Sequence, residues 1–444
     1  MRIDFSAEYM YLFSLVYSIL QKERRYENDN WGLYRKYSYK SYDIIRKNQC
    51  ADLLLFCVDI LINNSVNNNY EKDLNHIISE ILLLMKNSPE RCAFLLKAGM
   101  DGGIREAAFA IKNLSEYSGE LKNVNFSLNS YLLKTIDSKL KMISEYPLVF
   151  GLYDVVSGIA GDLYYLLDCD DILSDTKSLL KIKEILNVIV SLSDDYQFKG
   201  MNIIRFHIKQ EQQYKKSERD EMINGHINLG MAHGIMGVLI VLAKAYKLGI
   251  FQRHDTILKL YHIYKKFEKR NGEILRYPRR LSVEKYNEGK WNDLNMNSGW
   301  CYGNISIVRG MMKVSSYMNW KDEYKFYAAR LVNIINQSLK KYNLCSPIIC
   351  HGYASVVTIQ IASYLETNNS QYIYKLKRNI DMLYKAHNNE CLKNKMYIDN
   401  ISFLSGSGGV IMTLNAGDNM KMYYSELLLM DWKDNWNEEK NTFF

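Results

Sequence analysis

A pair of small residues three apart, Gly-x-x-Gly or its weakened form Gly-x-x-Ser, recurs six times along the chain. The copies run from Gly99 to Gly102, Gly158 to Gly161, Gly234 to Gly237, Gly303 to Ser306, Gly352 to Ser355 and Gly406 to Gly409. The copies lead into apolar stretches: Leu163, Tyr164, Leu166 and Leu167 follow the second, Val238 to Leu242 the third, and Val410, Ile411, Met412 and Leu414 the sixth. Between copies lie patterns such as Asp73 to Met85 and Leu179 to Leu192, with apolar residues at i, i+3, i+4 and i+7, the spacing of one helical face. The repeating unit is therefore a polar-faced helix, a loop, and a more buried helix that opens with small residues. Small residues there let backbones approach closely at a crowded centre. They also leave unpaired N–H groups pointing inward, which favours anions and polar chemistry. Lys47 to Asn63 supplies one more, degenerate inner helix. Seven such units closing on themselves predict an all-α chain, an α/α toroid forming a single domain over residues 1–444.

Two intervals are too long for a bare helical hairpin. Residues 193–228 contain the alternating stretch Met201 to Ile208, strand-like by period, and then a charged run through Lys215, Lys216, Glu218, Arg219 and Asp220. Residues 271–298 contain Ile274 to Pro278 and further β-compatible residues. Both read as insertions on one face of the toroid that form a small β-containing extension for recognising a partner.

Composition narrows the rest. The formal charge of +8, from 57 basic against 49 acidic residues, is spread along the chain and concentrated in no arm, which argues against nucleic-acid binding. Eight scattered cysteines lack the density of a disulfide framework and fit a reducing cytoplasm. The apolar run Tyr9 to Leu20 follows Asp4 and Glu8 and reads as an amphipathic first helix, not a signal peptide. No apolar run reaches the length of a membrane span.

Two short segments, Gly299-Trp300-Cys301-Tyr302-Gly303 and Ile349-Cys350-His351-Gly352, carry two thiols and an imidazole in Gly-flanked stretches. Thiolate and imidazole are ligands that zinc prefers, and three protein ligands leave one position open for chemistry. Neither zinc-finger nor ribbon spacing is present, so a fold must bring the halves together. Buried apolar cysteines are the alternative that composition alone favours.

Gly230-Met231-Ala232-His233-Gly234-Ile235-Met236-Gly237, Trp300-Cys301-Tyr302-Gly303 and Cys350-His351-Gly352 occur in that order. Together they resemble the signature of the lanthionine synthetase C-like family, the lantibiotic cyclases. Tyr153 to Gly158 and Phe403 to Gly409 match its flanking motifs, and the similarity runs from about Gly99 to Leu414. The resemblance implies two concentric rings of seven helices, inner and outer, with one zinc ion per chain near one end of the inner barrel. It implies a reaction in which a cysteine thiol of a dehydrated precursor peptide adds to dehydroalanine or dehydrobutyrine, closing a lanthionine or methyllanthionine thioether. It also implies partners, a dehydratase and a peptide exporter, and hence a cytoplasmic protein that works at the inner face of the membrane.

The same resemblance assigns roles. Cys301, Cys350 and His351 are the metal ligands. A free peptide thiol titrates near 8.5 and a coordinating thiol is deprotonated outright, so the metal activates the nucleophile. His233 holds the family's general acid/base position. Asp154 orients His233 or takes the thiol proton, with helix capping as the alternative. Tyr302 hydrogen-bonds the developing enolate or packs, and Trp300 packs. Many relatives carry an arginine a few residues before the Trp-Cys, where this chain has Leu294-Asn295-Met296-Asn297. Asn297, or Arg279 or Arg280 from the second insertion, is the expected substitute. The other six histidines stand in no motif, and among them only His226 lies near one. An inactive scaffold, a protein acting on glutathione and a zinc prenyltransferase are the competing readings. The intact ligand and histidine motifs, the composition and the motif order, respectively, stand against them.

Overall fold

The computed structural model describes residues 38–63, 68–87, 92–292, 297–394, 397 and 400–431. The expected first helix, Tyr9 to Leu20, and Leu294 to Met296 of the loop before Trp300 lie outside them. The long helices are α1 (Ser38–Ile62), α2 (Asn68–Asn87), α3 (Ile104–Ser118), α4 (Lys122–Glu145), α5 (Ile159–Leu166), α6 (Thr176–Ser191) and α7 (Ile235–Lys247). They continue with α8 (His254–Phe267), α9 (Asn304–Tyr317), α10 (Lys321–Ile335), α11 (Tyr353–Thr367), α12 (Leu376–Lys393) and α13 (Ser407–Asn419).

Odd-numbered helices form the inner ring. α1 packs on α3, α3 on α5, α5 on α7, α7 on α9, α9 on α11 and α11 on α13, and α13 returns to α1. Seven inner helices thus close an α/α toroid, and six outer helices back them among the described residues. Burial follows the layers. Every residue of α9 is buried. α6 buries only Ile182, Ile185, Leu186, Ile189 and Val190, the single stripe of an outer helix.

The recurring glycine has a spatial reason. Gly158, Gly234, Gly303, Gly352 and Gly406 each cap an inner helix in extended backbone, and a Cβ on any of them would lie 2.1–2.4 Å from the backbone of the loop just before it. The first copy is out of phase with the sequence reading, because α3 is capped by Gly103 and neither Gly99 nor Gly102 does so. Glu106 consequently occupies the place that the second small residue has elsewhere.

Glu106 accepts hydrogen bonds from the Asp101 and Gly102 N–H groups (2.8 and 3.0 Å) and faces Asp52 of α1, which accepts the Phe403 N–H (2.7 Å). Burial pushes Asp52 up to about 7 against the lowering by the Phe403 N–H and Lys97, and burial beside Asp52 raises Glu106 as well. Since Asp52 titrates above its ordinary 3.8, the folded chain holds a proton that the unfolded chain releases. That stability is complete in acid and is lost as pH rises toward about 7. Asp52→Asn keeps the acceptor and cannot ionise. Its melting temperature is expected to fall less than the wild type's between pH 5 and 8, measured by calorimetry, and parallel pH profiles would remove Asp52 from the balance.

The two insertions fold as one extension. β1 (Asp195–Phe198) and β2 (Met201–Ile204) form a hairpin, as do β4 (Lys269–Asn271) and β5 (Ile274–Arg276). β3 (His226–Asn228) pairs with β6 (Arg280–Ser282), joining the first insertion to the second. The strand expected to run to Ile208 ends at Ile204, and Ile208 makes only an isolated bridge to His226. No helix among the described residues is long and apolar enough to cross a membrane.

Residues 424–431 fill the centre of the ring, touching Lys112 on α3, Tyr164 on α5, Lys313 on α9, Thr358 on α11 and Thr413 on α13. Buried lysines of the inner helices find their carboxylates here: Lys112 meets Glu426 (3.5 Å) and Lys313 meets Asp431 (3.3 Å). Removing one partner of such a pair would strand a buried charge.

Candidate metal centre and active site

The loops that precede the inner helices are tied to one another by backbone hydrogen bonds. Met100 N–H donates to Val156 O, Val155 to Ala232, Ala232 to Cys301, Cys301 to Cys350 and Cys350 to Leu404, at 2.9–3.4 Å. Asp52, which accepts the Phe403 N–H, and Ser402, which donates to Asp101 (3.0 Å), close the girdle through side chains. Each link joins one motif of the chain to the next, so residues far apart in sequence become neighbours on one face of the toroid.

Cys301, Cys350 and His351 meet on this girdle, with one ligand atom from each lying within 4.8 Å of the others. The two Sγ atoms are 3.2 Å apart, too far for a disulfide bond, and the Cys301 thiol also reaches Cys350 O (2.8 Å). Gly299 makes the approach possible, since a Cβ there would stand 2.9 Å from His351 Cα. The Cys301 contact and burial push the Cys350 thiol well up, and the Cys350 contact raises His351. Two thiolates this close would repel one another, and a cation between them would offset that repulsion. Two sulfurs and one imidazole suit zinc, and the donor set leaves room for a fourth ligand. Trp300 is held from behind, its Nε1–H donating to Leu428 O of the central segment (3.0 Å).

His233 and Asp154 lie on the adjoining loops. Asp154 is buried, and its Oδ2 lies 2.6 Å from His233 Nδ1, while its Oδ1 accepts the Ser157 and Gly158 N–H groups at 2.8 Å each. The carboxylate therefore both orients the histidine and fixes the turn that leads to Gly158, the cap of α5. With Nδ1–H committed to Asp154, Nε2 is the ring atom available for proton transfer. The imidazole keeps about a quarter of its side-chain surface exposed (24 %) and lies beside Phe150 and Tyr302, with ring centroids 4.8 and 6.0 Å away.

Tyr302 Oη accepts from Asn228 Nδ2 (3.1 Å) and from Arg280 Nη2 (3.3 Å), and the guanidinium stands 5.3 Å from the centre of its ring. Burial holds the phenol above its usual range against the lowering by Arg280 and Asn228. Of the substitutes for the missing arginine, Arg280 on β6 is thus the one that reaches Tyr302, anchored at its other side by Glu218 of the first insertion. Asn297 Oδ1 is buried with no hydrogen-bond partner. His226 is buried in the extension, bonded to Gln213 (2.8 Å) and pushed down to about 3 by desolvation, which makes it a neutral structural residue. Sequence reasoning missed Asn228 and Glu218: the pairing of β3 with β6 sets Asn228 opposite Arg280, and Glu218 reaches that arginine from the short helix Lys216–Glu221.

A model of lanthionine synthetase C-like proteins matches residues 55–424. The chain belongs to the lanthionine synthetase C-like family. Among its relatives is the nisin biosynthesis protein NisC of Lactococcus lactis subsp. lactis, 25 % identical over 373 residues, covering 82 % of this chain and 83 % of that protein. The solved structure of nisin cyclase superposes with a TM-score of 0.71 at 21 % identity, over 94 % of this chain and 96 % of the other, so the fold is shared. For this lanthionine synthetase C-like chain, the family match extends across the whole inner ring from within α1 to the central segment.

Proposed function

We propose that this chain is a zinc-dependent thioether cyclase acting on a dehydrated precursor peptide. The observation that carries the reading is the convergence of Cys301, Cys350 and His351 beside the Asp154–His233 pair on one girdle of loops. Zinc held by those three residues would supply a Lewis acid that lowers the pKa of a peptide thiol and leaves its sulfur nucleophilic at neutral pH.

The remaining chemistry belongs to the protein. The sulfur adds to the β-carbon of dehydroalanine or dehydrobutyrine, a C–S bond forms, and the π electrons move onto the α-carbon and its carbonyl as an enolate. The α-carbon then takes a proton, so the net change is addition of S–H across C=C with no oxidant or reductant. His233 Nε2 holds and delivers that proton, with Asp154 fixing the ring. Tyr302 accepts two N–H donors and keeps its own O–H to donate to the enolate oxygen. Arg280 sits behind the phenol and favours negative charge there, the task assigned in many relatives to the arginine that this chain lacks.

The extension contributes recognition. Tyr214 and Ile223 are exposed beside Lys215, Lys216 and Arg219, an apolar and basic surface suited to a precursor leader or to the dehydratase. Exporter partnership and a place at the inner face of the membrane follow from the same reading.

The direct test incubates the zinc-loaded protein with dehydrated precursor, then alkylates free thiols and counts them by mass spectrometry. One alkylatable cysteine should disappear per ring while the peptide mass stays constant. An unchanged thiol count would overturn the function.

A further inference from the structure

On the outer surface, away from the girdle's own side chains, a groove of about 660 Å³ is lined by Leu339, Tyr374, Lys375, Lys377, Arg378, Asp381, Met382 and Lys385, that is, by the start of α12 and the short helix Leu339–Tyr342. Four cations face one carboxylate, and Lys340 and Lys341 stand exposed next to Leu339. Elsewhere basic side chains of this surface find acids, as Lys181 does with Asp137 and Lys259 with Asp195. Here Lys375 and Arg378 bond only neutral acceptors, the carbonyls of Asn336 and Gln337, Asn379 Oδ1 and Tyr342 Oη. None of the six cations pairs with a carboxylate among the described residues. The apolar contribution is equally uncovered, with Tyr374 80 % exposed above half-buried Met382 and Leu339.

We propose that this groove docks an acidic peptide segment carrying an apolar side chain, on the same substrate that the metal centre is inferred to cyclise. The proposal rests on the cyclase reading for the identity of that substrate, and on charge complementarity for its chemistry. The recess is shallow and offers a single strongly exposed apolar side chain, Tyr374, whereas a membrane takes up a face carrying several, so a peptide is the better fit. The groove is also joined to the metal loop. Tyr342 and Gln337, which accept hydrogen bonds from the groove's Arg378, also bond Ser298, through Ser298 N–H to Tyr342 O (2.9 Å) and Gln337 Nε2 to Ser298 Oγ (3.0 Å), three residues before Cys301. A segment held here remains tethered beside the loop that carries a metal ligand, which raises the local concentration of its cysteines.

The test is fluorescence anisotropy on the full chain with a short fluorescein-labelled peptide rich in Glu, Asp and Leu, at low and high salt. Vesicles of phosphatidylglycerol serve as a second arm. Wild-type protein should bind the peptide with an affinity that falls as salt rises. The variant Tyr374→Ala/Lys377→Glu/Lys385→Glu should bind about tenfold more weakly or worse, with unchanged zinc content and unchanged thiol consumption at saturating substrate. Equal affinity in wild type and variant overturns the proposal, as does salt-sensitive binding to the vesicles with none to the peptide. Since anisotropy involves no chemistry, a failed cyclisation assay with intact peptide binding would sink the cyclase reading and leave the groove standing.

Discussion

Cys301→Ala and Cys350→Ala are each expected to lose most of the roughly one zinc per chain that the wild type should carry, and with it ring formation down to the uncatalysed background. The geometry makes the loss steep, because a three-residue donor set has no spare ligand, and removing one leaves a single sulfur and an imidazole. Metal content by emission spectrometry and alkylation counting on the same preparation check both parts. Circular dichroism should stay helical, since Cys301 and Cys350 contribute small side chains to a ring whose core is otherwise complete. Full zinc in both variants would refute the centre.

His233→Ala should separate proton transfer from metal binding. It retains zinc, because His233 is no part of the donor set, yet slows cyclisation by about 100-fold or more if the proton delivered to the α-carbon comes from the imidazole. Asp154→Asn tests the support: it keeps a hydrogen-bond partner for the ring but loses the carboxylate that holds Nδ1, so the rate should fall less than in His233→Ala while zinc is retained. Arg280→Gln should lower kcat with little change in zinc, since the guanidinium touches Tyr302 and no ligand. Wild-type rates in His233→Ala would take the residue out of the mechanism.

Which parts of this were legible in the sequence follows from what each part depends on. The Gly-x-x-Gly spacing disclosed the inner helices because a Cβ at Gly158, Gly234 or Gly406 collides with the loop backbone, a requirement written one residue at a time. Its first copy misled by a few residues. Gly99 and Gly102 serve the turn there with positive φ (81° and 74°), while Gly103 takes the capping role, and nothing local separates those three glycines. The candidate metal ligands were legible as types and flanks, and the role of Asp154 was open between orienting His233 and capping a helix until the geometry set it on His233 Nδ1 and on the turn before Gly158, which is itself the cap.

Residues whose role depends on a partner across the ring were invisible. Lys112 and Lys313 sit in the inner helices as unexplained charges until residues 424–431 enter the centre and meet them, while Arg309 pairs with Glu366 of α11 and also reaches Met430 O. Arg280 was one of three candidates, and only the antiparallel register of β3 and β6 sets it against Tyr302.

The sequence by itself determined the unit, the number of inner helices and the donor chemistry, because close packing at a helix start, amphipathic period and ligand type are each properties of a few adjacent residues. The tertiary structure alone decided the meeting of Cys301 with Cys350, the delivery of Arg280 and the filling of the ring by the C-terminal segment. Those are distances between points far apart on the chain, fixed by ring closure and by the backbone bonds that tie one loop to the next.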